Sequence, residues 1–388
     1  MTLKKPERIL IIKLRHHGDV LLTTPVADFI KHAYPDCTVD MLVYQETADI
    51  LRDNRQINRV FTIDRQWKKQ GLRRQLAHER ALLADLKAQR YDWVFNLSEQ
   101  WRAAVIAKLC GKRSGGLLYG KRNNALWRFC HSELSEDLGY EHHIVEHNLA
   151  VLRPLQLSGG YRARVRMEIA PDTRSSLKAK LRDRGWREEP YVLVHPGSRW
   201  MFKCWENGKT AELLQHLLDS GRHLVLTASP DEEERNMLTD IIGRLKAPQE
   251  ARIWMLSGCL NLRELAAAID GAELFIGVDS VPMHMAAALD KPQVALFGPS
   301  WVSRWRPYSD RAAVVWAGDF GELPHPDSID TNDHTRLLGA IPVDAVWRAV
   351  QKQLAVQEPQ PATQAGAAVN AIHNEKSPTD PEPSERNV

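Results

Sequence analysis

The sequence predicts an α/β protein: two doubly wound parallel sheets, each covered by helices on both faces, facing each other across a cleft. The chain has 388 residues, 43% of them hydrophobic, which is enough apolar material for two cores. Short β-branched runs alternate with longer segments of helical period, the pattern of buried parallel strands joined by crossover helices. The alternation pauses at Leu157-Ser158-Gly159-Gly160-Tyr161 and a polar helix-like segment from Ser175 to Asp183, then resumes. An N-terminal domain is therefore expected over 1–170 and a C-terminal one over 171–356.

In the first domain the expected strands are Ile9 to Leu14, Thr38 to Val43, Val60 to Ile63 and Trp93 to Leu97. The helical patterns from Val20 to Ala33 and Arg74 to Gln89 are long enough to be crossovers. In the second, strands are expected at Tyr191 to His195, His223 to Thr227, Arg252 to Met255, Leu274 to Gly277 and Gln293 to Phe297. From about Gln357 the chain is Pro, Gln, Ala, Asn, Ser and Glu, too poor in large apolar residues to offset ordering entropy, so 357–388 is expected to be a disordered tail.

Lys and Arg total 52 against 49 Asp and Glu, a formal net charge of +3. That is too slight for a dedicated nucleic-acid binder, so anion recognition must be local. Apolar runs such as Ala286 to Leu289 stop well short of a bilayer's width and the mean hydropathy is −0.40, so no membrane span is expected. The basic start leads straight into Ile9 to Ile12 without a signal-peptide pattern. Five scattered cysteines without a Cys-x-x-Cys pair fit neither a disulfide framework nor a zinc site. A cytoplasmic, reduced protein is expected.

Ligands in doubly wound sheets bind beyond the carboxyl ends of the strands. In the first half the strand runs into Arg15-His16-His17-Gly18-Asp19, where Gly18 allows a tight turn and Asp19 takes the N-cap position. Such a carboxylate caps a helix, and it can also serve as a general base. In the second half His195-Pro196-Gly197-Ser198-Arg199 follows a strand, with Lys203 and Trp205 soon after. Small residues there admit a phosphate to backbone N–H groups, and Lys203 adds a point charge. The sharpest segment is Gly277-Val278-Asp279-Ser280-Val281-Pro282-Met283-His284, in which Asp279 and Ser280 cap a helix with Pro282 in its first turn. That helix start is a ready anion site, with His284 on the same side as Ser280. Gly298-Pro299-Ser300 repeats the theme of strand, glycine and turn.

These elements resemble the glycosyltransferase family 9 heptosyltransferases. The resemblance runs from Lys13-x4-Gly18-Asp19-Val20-Leu21-Leu22-Thr23-x-Pro25 through His195-Pro196-Gly197-Ser198, Lys203-x-Trp205 and Asp231-Glu232-Glu233-Glu234-Arg235. It continues in Val278-Asp279-Ser280-x3-His284-x-Ala286-Ala287-Ala288-Leu289 and Phe297-Gly298-Pro299, covering residues 8 to about 310. It implies a GT-B fold of two Rossmann-like domains and transfer of heptose from ADP-heptose, with inversion, to an inner-core heptose of lipopolysaccharide. By position, Asp19 would take the acceptor's proton, and Lys203 with Gly197 and Ser198 would hold the donor diphosphate. Glu232 would bind the ribose, Leu260 would line the adenine pocket, and Asp279, Ser280, Val281 and His284 would surround the donor sugar and leaving group. Val281 departs from the glycine often found there. On the acceptor side the resemblance gives purpose to the basic loop with Arg65, Lys68 and Lys69, extended by Lys112-Arg113 and Lys121-Arg122, and to His143 facing the cleft. The implied partners are a phosphorylated lipid A inner core and the anionic cytoplasmic face of the inner membrane. The chain holds no Asp-x-Asp pair of the kind that carries a metal in other transferases, so no metal and no cofactor beyond the donor is expected.

Two other motifs are weaker. Gly115-Gly116-Leu117-Leu118-Tyr119-Gly120-Lys121 mimics a phosphate loop, but Arg122 stands where a Ser or Thr would ligate magnesium. His143-Ile144-Val145-Glu146-His147 has an inverted zincin spacing with no other peptidase feature. A sugar-nucleotide 2-epimerase of similar architecture and a non-catalytic nucleotide-sugar binder remain as rival readings.

Overall fold

A computed structural model describes residues 5–120, 122–157, 160–246 and 252–355. The expected tail 357–388, Lys121 and the middle of the pause at Ser158-Gly159 lie outside the described residues. The first sheet holds β1 (Arg8–Lys13), β2 (Thr38–Tyr44), β3 (Arg59–Ile63), β4 (Tyr91–Asn96), β5 (Gly111–Leu117) and β6 (Glu133–Ser135). All pairings are parallel, in the order β3-β2-β1-β4-β5-β6. The second holds β7 (Tyr191–His195), β8 (His223–Leu226), β9 (Ile253–Met255), β10 (Leu274–Val278), β11 (Gln293–Phe297) and β12 (Ala312–Trp316), also parallel, in the order β12-β11-β10-β7-β8-β9. Each sheet reverses its winding once, beside β1 in one lobe and beside β7 in the other, and a crevice opens at each reversal. The central strands β7, β10 and β11 are buried along their whole length because helices cover both faces, so they read as unbroken apolar runs.

The structure departs from expectation where glycine or proline decides. Gly115 to Leu117, the start of the phosphate-loop mimic, end the strand β5, whose glycines fit beneath neighbours. A Cβ on Gly115 would come within 2.5 Å of the Phe95 ring, and one on Gly116 within 2.5 Å of His131. The helix expected from Val20 to Ala33 is two, α1 (His17–Leu21) and α2 (Thr24–Ala33). Pro25 has no N–H to continue the ladder, and the hydroxyls of Thr23 and Thr24 donate to the carbonyls of Val20 (2.6 Å) and Leu21 (2.9 Å). Asp19 is thus not the N-cap: His16 holds that position without a side-chain bond, and Asp19 lies in the first turn of α1.

The lobes touch at several points. His143 caps α6 (Ile144–Leu149): its Nδ1 accepts from the Val145 N–H at 3.1 Å, which leaves Nε2–H to donate to the Arg306 carbonyl at 2.8 Å. Arg304 donates to the Gly139 carbonyl at 2.8 Å, and the Ser303 hydroxyl to that of Tyr140 at 2.7 Å. Across the gap α1 also abuts α11 (Val281–Ala288), since a Cβ on Gly18 would sit 3.3 Å from His284 Cδ2. Gly18 is therefore needed for close approach rather than for a turn. Among the described residues no helix is long and apolar enough to cross a membrane.

Candidate active site

Between the lobes lies a cavity of about 310 Å³. The first lobe lines it with Lys13, Arg15, Asp19, Glu99, Tyr119 and His147, and the second with Trp200, Phe202, Lys203, Ser300, Trp301 and Arg304. Asp19 and Lys203, the two residues singled out for chemistry, thus face one space from opposite lobes. Lys13 ends β1 beneath it, and burial lowers its ammonium to about 8 against the pull of the Asp19 charge. Its Nζ donates to Asn148 Oδ1 at 3.4 Å. Asp19 is largely enclosed, with Arg15 Nε 3.8 Å from its carboxylate.

On the other wall, the 3-10 turn Met201–Lys203 carries Lys203 to Asp279, whose Oδ2 accepts from Nζ at 2.5 Å. Burial pushes the Asp279 carboxyl up, but the Lys203 charge and hydrogen bonds from Lys203 and Ser300 outweigh it and hold the group below the usual carboxylate range. Asp279 is therefore ionised, and Lys203 keeps two further N–H donors for a ligand. Ser280 stands at the N-cap of α11 yet does not cap it: its hydroxyl donates to the Val278 carbonyl at 3.2 Å. With Pro282 lacking an N–H, the first-turn amides of Val281 and Met283 have neither an intrahelical acceptor nor a capping side chain and remain open to an anion. His284 is buried, and burial lowers its imidazole to about 4, so it is neutral near pH 7. Its Nδ1 has no hydrogen-bond partner.

Residues 79–335 match the sequence profile of glycosyltransferase family 9 (heptosyltransferase). The chain belongs to this family. It is 35% identical over 347 residues to lipopolysaccharide heptosyltransferase 3 of Escherichia coli K12, a match covering 89% of this chain and 98% of that protein. In fold, this family 9 transferase is similar to the crystal structure of the glycosyl transferase family 9 from Veillonella parvula, with TM-score 0.77 and 20% identity over 90% of this chain and 98% of that one. It is also similar to E. coli ADP-heptose lps heptosyltransferase II, with TM-score 0.71 and 21% identity over 91% and 100%. The fold is GT-B, as the sequence predicts, and membership of the family sets aside the epimerase and non-catalytic alternatives.

In the transferase, the turn after β7 is shaped by Glu234, the last glutamate of the run Glu232-Glu233-Glu234. A Cβ on Gly197 would collide with the carboxylate of Glu234, buried in α9 (Glu232–Gly243). Glu234 Oε2 accepts from the Ser229 N–H at 3.0 Å and lies 3.8 Å from His195 Nε2, while His195 Nδ1 pairs with the Thr227 hydroxyl at 2.9 Å. Ser198 is buried beside this turn. Glu232 is exposed at the first position of α9, Leu260 is half-buried beyond β9, and neither lines the cavity between the lobes.

The basic loop forms a 3-10 turn, Arg65–Lys69, capped by Asp64. Arg65 is paired with Glu46 at 3.0 Å and lies 3.9 Å over the Tyr44 ring; Lys68 and Lys69 are exposed. None of the three reaches the cavity. Lys112 and Arg113 do not extend this surface. They open β5, and in a parallel sheet the start of a strand is at the opposite edge from the loop that follows β3; Lys112 pairs there with Asp92 at 2.8 Å. Arg122 does lie on the cleft side, donating to the Glu99 carbonyl at 2.7 Å. His143, with both nitrogens engaged, offers an acceptor no free polar atom. Among the described residues no group of three or more His, Cys, Asp and Glu side chains is placed to hold a metal ion.

Proposed function

We propose that this transferase moves heptose from ADP-heptose to an inner-core heptose of lipopolysaccharide, as a heptosyltransferase of the third type. The observation that carries the reading is the pairing of Asp19 and Lys203 across one cavity. It is supported by 35% identity to a lipopolysaccharide heptosyltransferase 3 spanning nearly all of that protein. Asp19 accepts the proton of the acceptor hydroxyl as that oxygen bonds to the anomeric carbon. The bond from that carbon to the diphosphate breaks on the far side, so the configuration inverts. Charge gathers on the departing ADP, where Lys203 and the open amides of α11 meet it. No metal enters this scheme. Asp279 holds Lys203 extended toward the cavity, while Gly197, Ser198, Ser280, Val281 and His284 enclose the diphosphate and sugar. Glu232 and Leu260 take the nucleoside. Arg65, Lys68 and Lys69 receive the anionic groups of a lipid A inner core at the cytoplasmic face of the inner membrane.

The test is Asp19→Ala. Transfer should be abolished while ADP binding stays near wild type, whereas Lys203→Ala should weaken both. Equal transfer rates in wild type and Asp19→Ala would remove the assignment of the base. Mass spectrometry of the core from a strain lacking the gene should show one heptose missing and every more proximal sugar present.

A further inference from the structure

Three helices of the first lobe lie side by side on one face of its sheet: α3 (Leu72–Ala88), α4 (Trp101–Cys110) and α5 (Ala125–Cys130). The ion pair of Arg102 with Glu79 ties α4 to α3, and the Lys108 ammonium, 4.6 Å over the Phe129 ring, ties α4 to α5. Their inner faces fill the core with Leu82, Leu86, Ala103, Ile106 and Trp127. Their outer faces expose apolar side chains among charged ones. Of the nine large apolar side chains exposed among the described residues, six belong to these helices: Leu72, Leu76, Val105, Leu109, Leu126 and Phe129. Phe129 is 66% exposed and Leu126 is 59% exposed. A helix with water on its outer side gains nothing from apolar residues on both faces, so α4 and α5 have the composition of helices meant to be covered.

Charge indicates what covers them. From Trp101 to Ser132 the sequence has seven Lys and Arg residues and no Asp or Glu. Arg102 is paired with Glu79 and Lys112 with Asp92, and the two on the outer faces of α4 and α5, Lys108 and Arg128, have no acidic partner among the described residues. Lys108 and Arg128 stand exposed among the apolar side chains, and the exposed Arg73 and Arg74 follow Leu72. Apolar side chains interleaved with unopposed cations fit an anionic bilayer surface: the former enter the headgroup boundary and the latter meet lipid phosphates. A protein partner or a second copy of this chain would have to bring acidic groups of its own.

We infer that the outer face of α3, α4 and α5 docks this transferase on an anionic membrane. The three-helix layer meets the cleft at the start of α4, where Trp101 follows Glu99 by two residues and Glu99 lines the cavity. Docking therefore sets the cavity's first-lobe wall next to the lipid surface. That this delivers a lipid-borne acceptor rests on the function proposed above; the docking itself does not.

The experiment is co-sedimentation of the full chain with phosphatidylcholine vesicles, with and without phosphatidylglycerol. Wild type should bind the anionic vesicles in preference. Leu126→Ser with Phe129→Ser should weaken that binding at least about tenfold by removing two inserting side chains. Lys108→Glu with Arg128→Glu, which leaves the apolar surface intact, should erase the preference by about fivefold for each cation removed. Circular dichroism and ADP binding, measured in parallel, keep these surface variants comparable with wild type. Vesicle binding by a protein that fails to bind ADP would overturn the donor assignment and leave the docking standing. Binding unchanged in both double variants would overturn the docking. So would light scattering that shows a wild-type dimer split by Leu126→Ser with Phe129→Ser while vesicle binding is unaltered.

Discussion

Replacing Lys203 by methionine keeps the length of the side chain and removes its charge, leaving the Asp279 carboxylate buried without its cation. At 2.5 Å the pair has a gross attraction of roughly 7 kcal/mol at an effective dielectric near 20. Much of this offsets the cost of burying Asp279, whose side chain is 6% exposed. Removing one partner of such a pair costs about 3–5 kcal/mol near neutral pH, and the surviving bond from Ser300 favours the lower end. The loss depends on pH with a definite sign. In wild type Asp279 is held below its usual range, so its contribution is present above pH about 4 and disappears as acid protonates it. Without Lys203, burial raises the same carboxyl, the folded state then holds the proton more tightly, and the variant gains stability as pH falls. Urea unfolding followed by tryptophan fluorescence should show a wide gap between wild type and Lys203→Met at pH 7 that narrows toward pH 5. Lys203→Met combined with Asp279→Asn should recover most of the stability yet still bind ADP poorly. If Lys203→Met unfolds like wild type at pH 7, or the double variant is no more stable than the single one, the buried pair does not set the pocket's energetics.

Gly197→Ala forces a methyl against the Glu234 carboxylate and should destabilise the fold by about 1–3 kcal/mol, with a matching loss of ADP affinity by calorimetry. His284 is buried as the neutral imidazole at about 4, below its unfolded value of about 6.5. Its contribution is therefore full above pH 6.5 and lost as pH falls through 4, on the order of 3 kcal/mol. His284→Gln should flatten that part of the stability-against-pH curve. Arg304→Ala removes the bond to the Gly139 carbonyl and the contact with the Tyr140 ring, 5.1 Å away. It should cost about 1 kcal/mol and enlarge the radius of gyration in small-angle scattering.

The sequence revealed strands where burial on both sides leaves an unbroken apolar run. β7 and β11 fall on the residues expected, and β10 extends by one. It concealed β5, because Gly115 and Gly116 are shaped by the rings of Phe95 and His131, which are near only in the folded chain. The site divides in the same way. Asp19, Lys203 and Asp279 stand in local patterns of strand, turn and helix that can be read from one end of the chain to the other. Glu99 and Arg304 are single residues in unremarkable surroundings, while Tyr119 and His147 stand in patterns that point to a phosphate loop and a zincin; all four are brought to the cavity by the winding of the sheets. Lys13 opens the family pattern without a role there, yet it carries a signal of its own: a cation directly after the apolar run Ile9 to Ile12 is buried and needs a reason to be there. Glu234 was hidden by its neighbours, since nothing in three consecutive glutamates says which one turns inward.

At residue 18 the lobes approach through the space where a side chain would be. The aperture between α1 and α11 is therefore gauged by one missing carbon, and a series of alanine, serine and valine at this position would act as shims of graded thickness. Alanine asks the His284 ring to yield by a few tenths of an ångström, and each larger residue asks for more. The lobe angle thus becomes an adjustable quantity, set by how far the His284 ring is made to yield.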